Sequence, residues 1–332
     1  MDWSKGFSAR DVLKIVDKDS WQDTDEIPIL SGSISRDIES GLLESATVET
    51  RKEIGEEWIR IYLIAEQKGD SVHVPLFTGL ASSPQRDING KRDTYHIDCY
   101  SVLKPAADWM TPLGYFVPAG MQGTRSIEEM LQKTGIKVSY ELGAGILITP
   151  IVAEAGETYL SMANTVLKAI GWQMFIDGRG EITLRPFDKN EKVNFSGMDF
   201  DAIEPELTDS RDMFSAPNVL RVTADNKSLT VRDDNPESPL STVSRGREIW
   251  AEESIDLTSG QTLDSYAIER LKELQKPARE LSYKRRFHPD VRPGDLIRIR
   301  YPGQKIDGVF RIQNQKINLT HGARTEEVAY ES

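Results

Sequence analysis

The sequence predicts a mainly β protein with an α+β insert. Three observations predict it. Segments rich in β-branched and aromatic residues crowd residues 1–104 and return after about residue 200. Turn signals such as Gly69-Asp70 and Asn89-Gly90 separate such segments at hairpin distance. Between the two β blocks, segments of helical period carry capping signals. The expected domains are therefore 1–104, 105–195 and 196–332, in the order β, α/β, β.

In the first block, SATVETR (45–51), EWIRIYLIAE (57–66) and VHVPLFTGL (72–80) read as strands, and TYHIDCYSVL follows the Asn89-Gly90 turn. Pro105, Pro112 and Pro118 mark a change of regime. SIEEMLQKTG (126–135) reads as a helix, with Ser126 and Glu129 as a capping box and Gly135 at its end. ETYLSMANTVLKAIG (157–171) is a second helix, with Leu160, Ala163, Leu167 and Ile170 on one face and Gly171 closing it. WQMFIDGRGEITLRP (172–186) reads as a hairpin turning at Asp177-Gly178-Arg179-Gly180.

In the last block, PNVLRVTA (217–224) and SLTVRD (228–233) form a hairpin around Asp225-Asn226, and DDNPESP (233–239) is a polar loop. One helix, 262–276, interrupts; Thr262 is its N-cap, Asp264 and Lys272 suit its dipole, and Pro277 stops it. ARELSYKRRF, RPGDLIRIR, DGVFRIQNQKINLT and TEEVAYE are four closing strands. Pro293-Gly294 is a turn signal before the third-from-last of them. After that turn, Ile297 and Ile299 alternate with Arg298 and Arg300, so one strand face is apolar and the other cationic.

Of 332 residues, 41 are Lys or Arg and 53 Asp or Glu, for a net charge of −12. Such a surface repels nucleic acid on average, and a DNA reader would need a basic domain. The lone Cys99 excludes an intrachain disulfide and a cysteine-based zinc site, and it reads as a buried apolar residue. No apolar run reaches the length of a membrane span, and MDWSKGFSARD lacks a signal-peptide core, so folding in a cytoplasm is expected.

His73, His96, His288 and His321 show no metal-ligand spacing. Glu53, Glu56 and Glu57 could serve a glycosidase, and a charged turn explains them equally well. There is no Gly-x-Ser-x-Gly elbow, and GAGILI (143–148) and DGRGEI (177–182) lack phosphate-loop spacing, so no cofactor is expected. The six tryptophans are scattered and read as packing residues. Between Lys284 and Arg300, six basic residues face two acidic ones, a pattern suited to a solvated strand face or to docking on an acidic neighbour.

Four segments, in order, resemble the baseplate hub proteins of bacteriophage tails and contractile bacteriocins. They are PILSGSISRDIESGLLESATVE (28–49) with PLFTGL and YHIDCYSVL, LKAIGWQMFIDGRGEITLRP (167–186), PNVLRV (217–222), and the run from Tyr266 to Leu319. The resemblance implies two tail-tube-like β-barrel domains separated by a small α/β domain. It implies a homotrimer forming a pseudo-hexameric ring in the baseplate of a virion or phage-tail-like particle. Its partners would be the tail tube protein, a spike or tail-tip protein and other baseplate proteins, with DNA passing the lumen without specific binding. Within that reading the interface residues are Arg285, Arg286, Arg298 and Arg300, with Asp233 and Asp234 of the acidic loop. The alternative is a cell-wall hydrolase or receptor-binding component of a tail.

Overall fold

The structure, a computed structural model, describes all residues except 4, 91, 142–144, 187–190, 197–202, 212, 225–226, 256–261, 276–278 and 320–322. Of residues 92, 191–196, 205 and 302 it describes the backbone only. The expected turn at Asp225-Asn226, His321 and the helix stop at Pro277 lie outside the described residues.

The first β block forms β1 (Ser8–Val16), β2 (Asp23–Pro28), β3 (Ser31–Asp37), β4 (Glu44–Thr50), β5 (Trp58–Gln67), β6 (Asp70–Ala81), β7 (Gln85–Asn89) and β8 (Arg92–Ser101). The insert holds α1 (Lys104–Asp108), β9 (Phe116–Val117), α2 (Gly123–Gln132), β10 (Val138–Tyr140), β11 (Ile151–Val152), α3 (Tyr159–Ile170), β12 (Trp172–Ile176) and β13 (Ile182–Pro186). Then come β14 (Glu191–Ser196), β15 (Ile203–Arg211), β16 (Val219–Ala224), β17 (Lys227–Arg232), α4 (Thr242–Arg245), β18 (Trp250–Ser254) and α5 (Leu263–Leu274). The chain closes with β19 (Arg279–Arg285), β20 (Leu296–Tyr301), β21 (Ile306–Asn318) and β22 (Thr325–Glu331). The protein is thus mainly β, with few helices.

It divides into two compact units. One comprises residues 1–207 and 282–330 with Ser332; the other comprises residues 208–281 with Glu331. The main sheet runs β15-β19-β22-β21-β3-β4-β8-β6-β5-β1-β2, with β20 between β21 and β14, and β7 on β8. Within it β21 pairs antiparallel with β3, Ile317 opposite Ile34, so the first and last β blocks share one sheet. Their core is continuous too: Ile34, Ile61, Phe77 and Ile97 pack in one cluster with Phe287, Ile317 and Leu319. Each such fully buried side chain contributes about 1.5–3 kcal/mol relative to exposure.

The insert has its own core, in which Ile127, Met130, Met162, Ala163, Val166 and Leu184 are buried. Gly171 ends α3 in the left-handed conformation, as its sequence predicts, and Thr158, which the sequence reading did not single out, caps its start through the hydroxyl. The start of α2 differs from expectation. Gln122 is the N-cap, and Ser126 lies one turn inside, donating to the Gln122 carbonyl. Glu129 pairs with Arg125 one turn back along the helix instead of reaching a capping serine.

In the smaller unit, β17-β16-β18 form a sheet covered on one face by α5 through Leu220, Val222, Ala267 and Leu271. Thr262 and Ser265 form a reciprocal capping box at the start of α5. The short helix α4, capped by Ser241 and ended by Gly246, follows the polar loop 233–239 in a stretch where the sequence reading expects no element.

Candidate assembly surface

The cationic strand begins at a turn. Pro293-Gly294 forms it, with Gly294 at φ 93° and the Asp295 N–H donating to the Arg292 carbonyl at 3.1 Å. The turn is pinned from two sides: Arg292 donates to the Ile176 carbonyl at 2.8 Å, and Arg311 to the Gly294 carbonyl at 2.6 Å. It delivers β20 between β14, parallel, and β21, antiparallel. Ile297 and Ile299 are fully buried on one face. Opposite them, the Arg298 and Arg300 side chains are 31% and 53% exposed and converge on Asp307 of β21, at 3.2 and 3.6 Å. Exposed pairs of this kind hold together by only about 0–1 kcal/mol, so these cations can exchange Asp307 for another anion at little cost.

Arg285 behaves differently. It is 1% exposed and makes a bidentate ion pair with Glu327, at 2.8 and 2.6 Å. The expectation of a surface residue is therefore corrected: β19 alternates buried and half-buried positions, and Arg285 falls on the inward side. Its neighbour Arg286 is half-buried on the other side. In the smaller unit, Asp234 is exposed and accepts from Thr242. Asp233 is half-buried. Burial opposes its charge, but hydrogen bonds from Ser238, the Asn235 N–H and Gln275 hold its carboxyl below the ordinary value.

Arg285 belongs to a buried polar chain that crosses the sheet. Arg36 of β3 donates to the Leu76 carbonyl of β6 and to Gln315 of β21. Gln315 donates to Glu327 of β22, which receives Arg285 of β19. Beside it, Glu44 of β4 lies 3.4 Å from the Arg36 Nε, and its Oε1 has no hydrogen-bond partner. Burial pushes the Glu44 carboxyl up to about 7, against the pull of Arg36 and Arg292. Burial, reinforced by Arg292, brings Arg36 down to about 9. Sequence reasoning missed this chain, because Arg36, Glu44, Gln315 and Glu327 lie in four separate strands.

The enzyme-like candidates sit apart. Glu53, Glu56 and Glu57 are exposed in the turn before β5, as a charged turn requires. His96 lies between Glu49 and Asp87 at 3.0 and 2.9 Å, and His288 is held below its ordinary pKa by burial and by Arg285. Among the described residues no group of His, Cys, Asp and Glu could hold a metal ion, and no helix is long and apolar enough to cross a membrane. A groove of about 1070 Å³ between residues 38–43 and α3 has Glu39 and Lys168 as its charged lining. Of the tryptophans, Trp3 packs edge-on against Phe7 and Phe287, and Trp21 against Trp58. Trp109 and Trp250, expected as packing residues, are exposed instead.

No family model matches the sequence, and no curated protein matches it in sequence. Solved structures match in fold. A tail protein from Neisseria meningitidis has a TM-score of 0.71 at 13% identity, over 98% of this chain and 97% of that one. The 43 kDa tail protein of prophage MuSo2 from Shewanella oneidensis gives 0.68 at 13% identity, over 98% of each. The E. coli c3393 protein, a component of the type VI secretion system, gives 0.52 at 8% identity, over 96% of this chain and 76% of that one. The chain therefore has the fold of phage tail proteins along nearly its whole length.

Proposed function

We propose that this protein is a structural hub of a phage tail or a related contractile particle. Three copies form a pseudo-hexameric ring that joins the tail tube to a spike or tail tip. The observation that carries the reading is the fold shared with tail proteins from one end of the chain to the other. In this proposal residues 1–104 and 196–332 supply the two tube-like barrels and residues 105–195 the domain between them. The exposed cations Arg298 and Arg300, weakly held by Asp307, meet an acidic neighbour, and Arg286, Asp233 and Asp234 lie on further contact faces. An acidic protein suits a lumen through which DNA passes, because phosphates are not retained there. The role is assembly without turnover, in a particle built in the bacterial cytoplasm.

Light scattering across a concentration series, with negative-stain imaging, tests the ring. Trimers or rings with a central hole are the expected outcome, and a monomer at every concentration counts against it. Reversing Arg298 and Arg300 together to glutamate should weaken assembly while leaving the circular dichroism spectrum unchanged. Unaltered assembly removes those two residues from the interface.

A further inference from the structure

The inward face of β3 and β4 changes character near the loop that joins them. Ile34 stands opposite Ala46, and both are buried in the apolar core. Two residues on, Arg36 stands opposite Glu44, and these are 5% and 4% exposed. Directly opposed residues share a face, so a charged pair occupies a place that the alternation assigns to the interior. Burying charge is costly unless the remaining hydrogen-bonding sites are filled. Arg36 fills two of its own, with Gln315 at 2.7 Å and with the Leu76 carbonyl. Its Nε–H and the Glu44 Oε1 remain, one donor and one acceptor. Both atoms are buried, and neither has a hydrogen-bond partner among the described residues.

Arg36 and Glu44 line a cavity of about 30 Å³, together with Asp37, Phe175, Ile176 and Arg292. Three pieces of the chain meet there: the β3–β4 hairpin, strand β12 of the insert, and the turn that starts β20. Arg292 ties two of them by donating to the Ile176 carbonyl.

We infer that this cavity is the binding site of one water molecule, which accepts from the Arg36 Nε–H and donates to the Glu44 Oε1. A water needs about 10–15 Å³ of space and two to four polar partners. The cavity offers that space, and Arg292 is the third polar group in its wall. One water completes both leftover groups at once, as buried polar groups require.

The charges select water over an ion. Arg36 and Arg292 bring two positive charges to the wall, and Asp37 and Glu44 bring up to two negative ones. Asp177 acts on Glu44 as a further negative charge. Burial pushes Glu44 up to about 7, against the pull of Arg36 and Arg292, so near neutral pH it exists both as carboxylate and as acid. The two arginines repel a cation in either case. An anion suits the acid and is repelled by the carboxylate. Water donates to the carboxylate and accepts from the acid, so it fits both forms. It also gives the enclosed carboxyl a partner for proton exchange. The site lies within one chain and requires no ring.

The test is a crystal structure of the wild type that shows ordered water, with a second crystal soaked in bromide. Expected is a single peak of water strength within hydrogen-bonding distance of Arg36 Nε and Glu44 Oε1, with no anomalous signal from bromide. An empty cavity, or a Glu44 carboxylate turned onto a protein donor, overturns the site. A bromide signal there makes the occupant an anion and overturns the assignment to water. In solution, oxygen-17 magnetic relaxation dispersion should count one long-lived water fewer in Glu44→Met than in the wild type. An equal count also overturns the site, and the wild-type density decides should the variant not fold.

Discussion

Arg285 and Glu327 form a two-toothed ion pair from which water is excluded on both sides. Removing one partner leaves the other charged and buried, which costs about 3–5 kcal/mol. Glu327→Ala should therefore lower the urea midpoint sharply. Arg298→Ala, which breaks an exposed pair, should change stability by about 1 kcal/mol or less. Equal effects from the two substitutions contradict this ranking.

Glu44 sets a pH dependence. Burial pushes its carboxyl up to about 7 in the folded protein, from the ordinary value of 4.5 that it has when unfolded. Between those values the folded state holds the extra proton, so stability falls as pH rises. The contribution is fully present below about pH 4.5 and is lost by the time pH passes about 7. Integrated, the shift corresponds to about 3 kcal/mol. Chemical denaturation of wild type and Glu44→Gln at a series of pH values checks it. The wild type should lose stability relative to the variant across that window, and a constant difference refutes the assignment.

Two glycines should respond very differently to alanine. At Gly178, in the β12–β13 turn, a Cβ would overlap the Pro75 carbonyl, and Thr78 donates to the Gly178 carbonyl at 2.9 Å. Gly178→Ala must push two backbones apart and should cost on the order of 3 kcal/mol. At Gly69 nothing lies nearby and only its φ of 91° resists a side chain, so Gly69→Ala should cost about 1 kcal/mol. The melting temperatures of the two variants give the comparison.

Burial pushes the Cys99 thiol up to about 12. The thiolate fraction at pH 8 is then on the order of 10⁻⁴. A colorimetric thiol reagent should find no fast-reacting group in the native protein and one group per chain in denaturant. Rapid labelling of the native protein at pH 8 refutes the buried placement.

Local rules were legible in the sequence wherever a single turn or cap decides the outcome. Gly171, Thr262 and the Pro293-Gly294 turn all act as their residue types dictate. The alternation of Ile297 and Ile299 with Arg298 and Arg300 appears unchanged as a buried and an exposed face. Ser126 misled because Ser-x-x-Glu is also compatible with an interior turn. Arg285 misled because a basic run such as KRRFH looks alike whether its arginines meet water or a buried Glu327 some 40 residues away. Trp109 misled because tryptophans scattered along a chain read as core, although the uncharged stretch from Trp109 to Thr124 was the available sign of an apolar surface.

The pairing of Ile34 with Ile317 also fixes an order of events in time. The strand that completes β3 is made roughly 280 residues later, which at about 5–20 residues per second is on the order of 15–55 s of translation. Until then β3 offers an open hydrogen-bonding edge beside apolar side chains, an invitation to mispairing on the ribosome. Long-range closure of this kind also slows refolding of the finished chain. A nascent chain of this protein should therefore depend on holding chaperones until its last strands emerge.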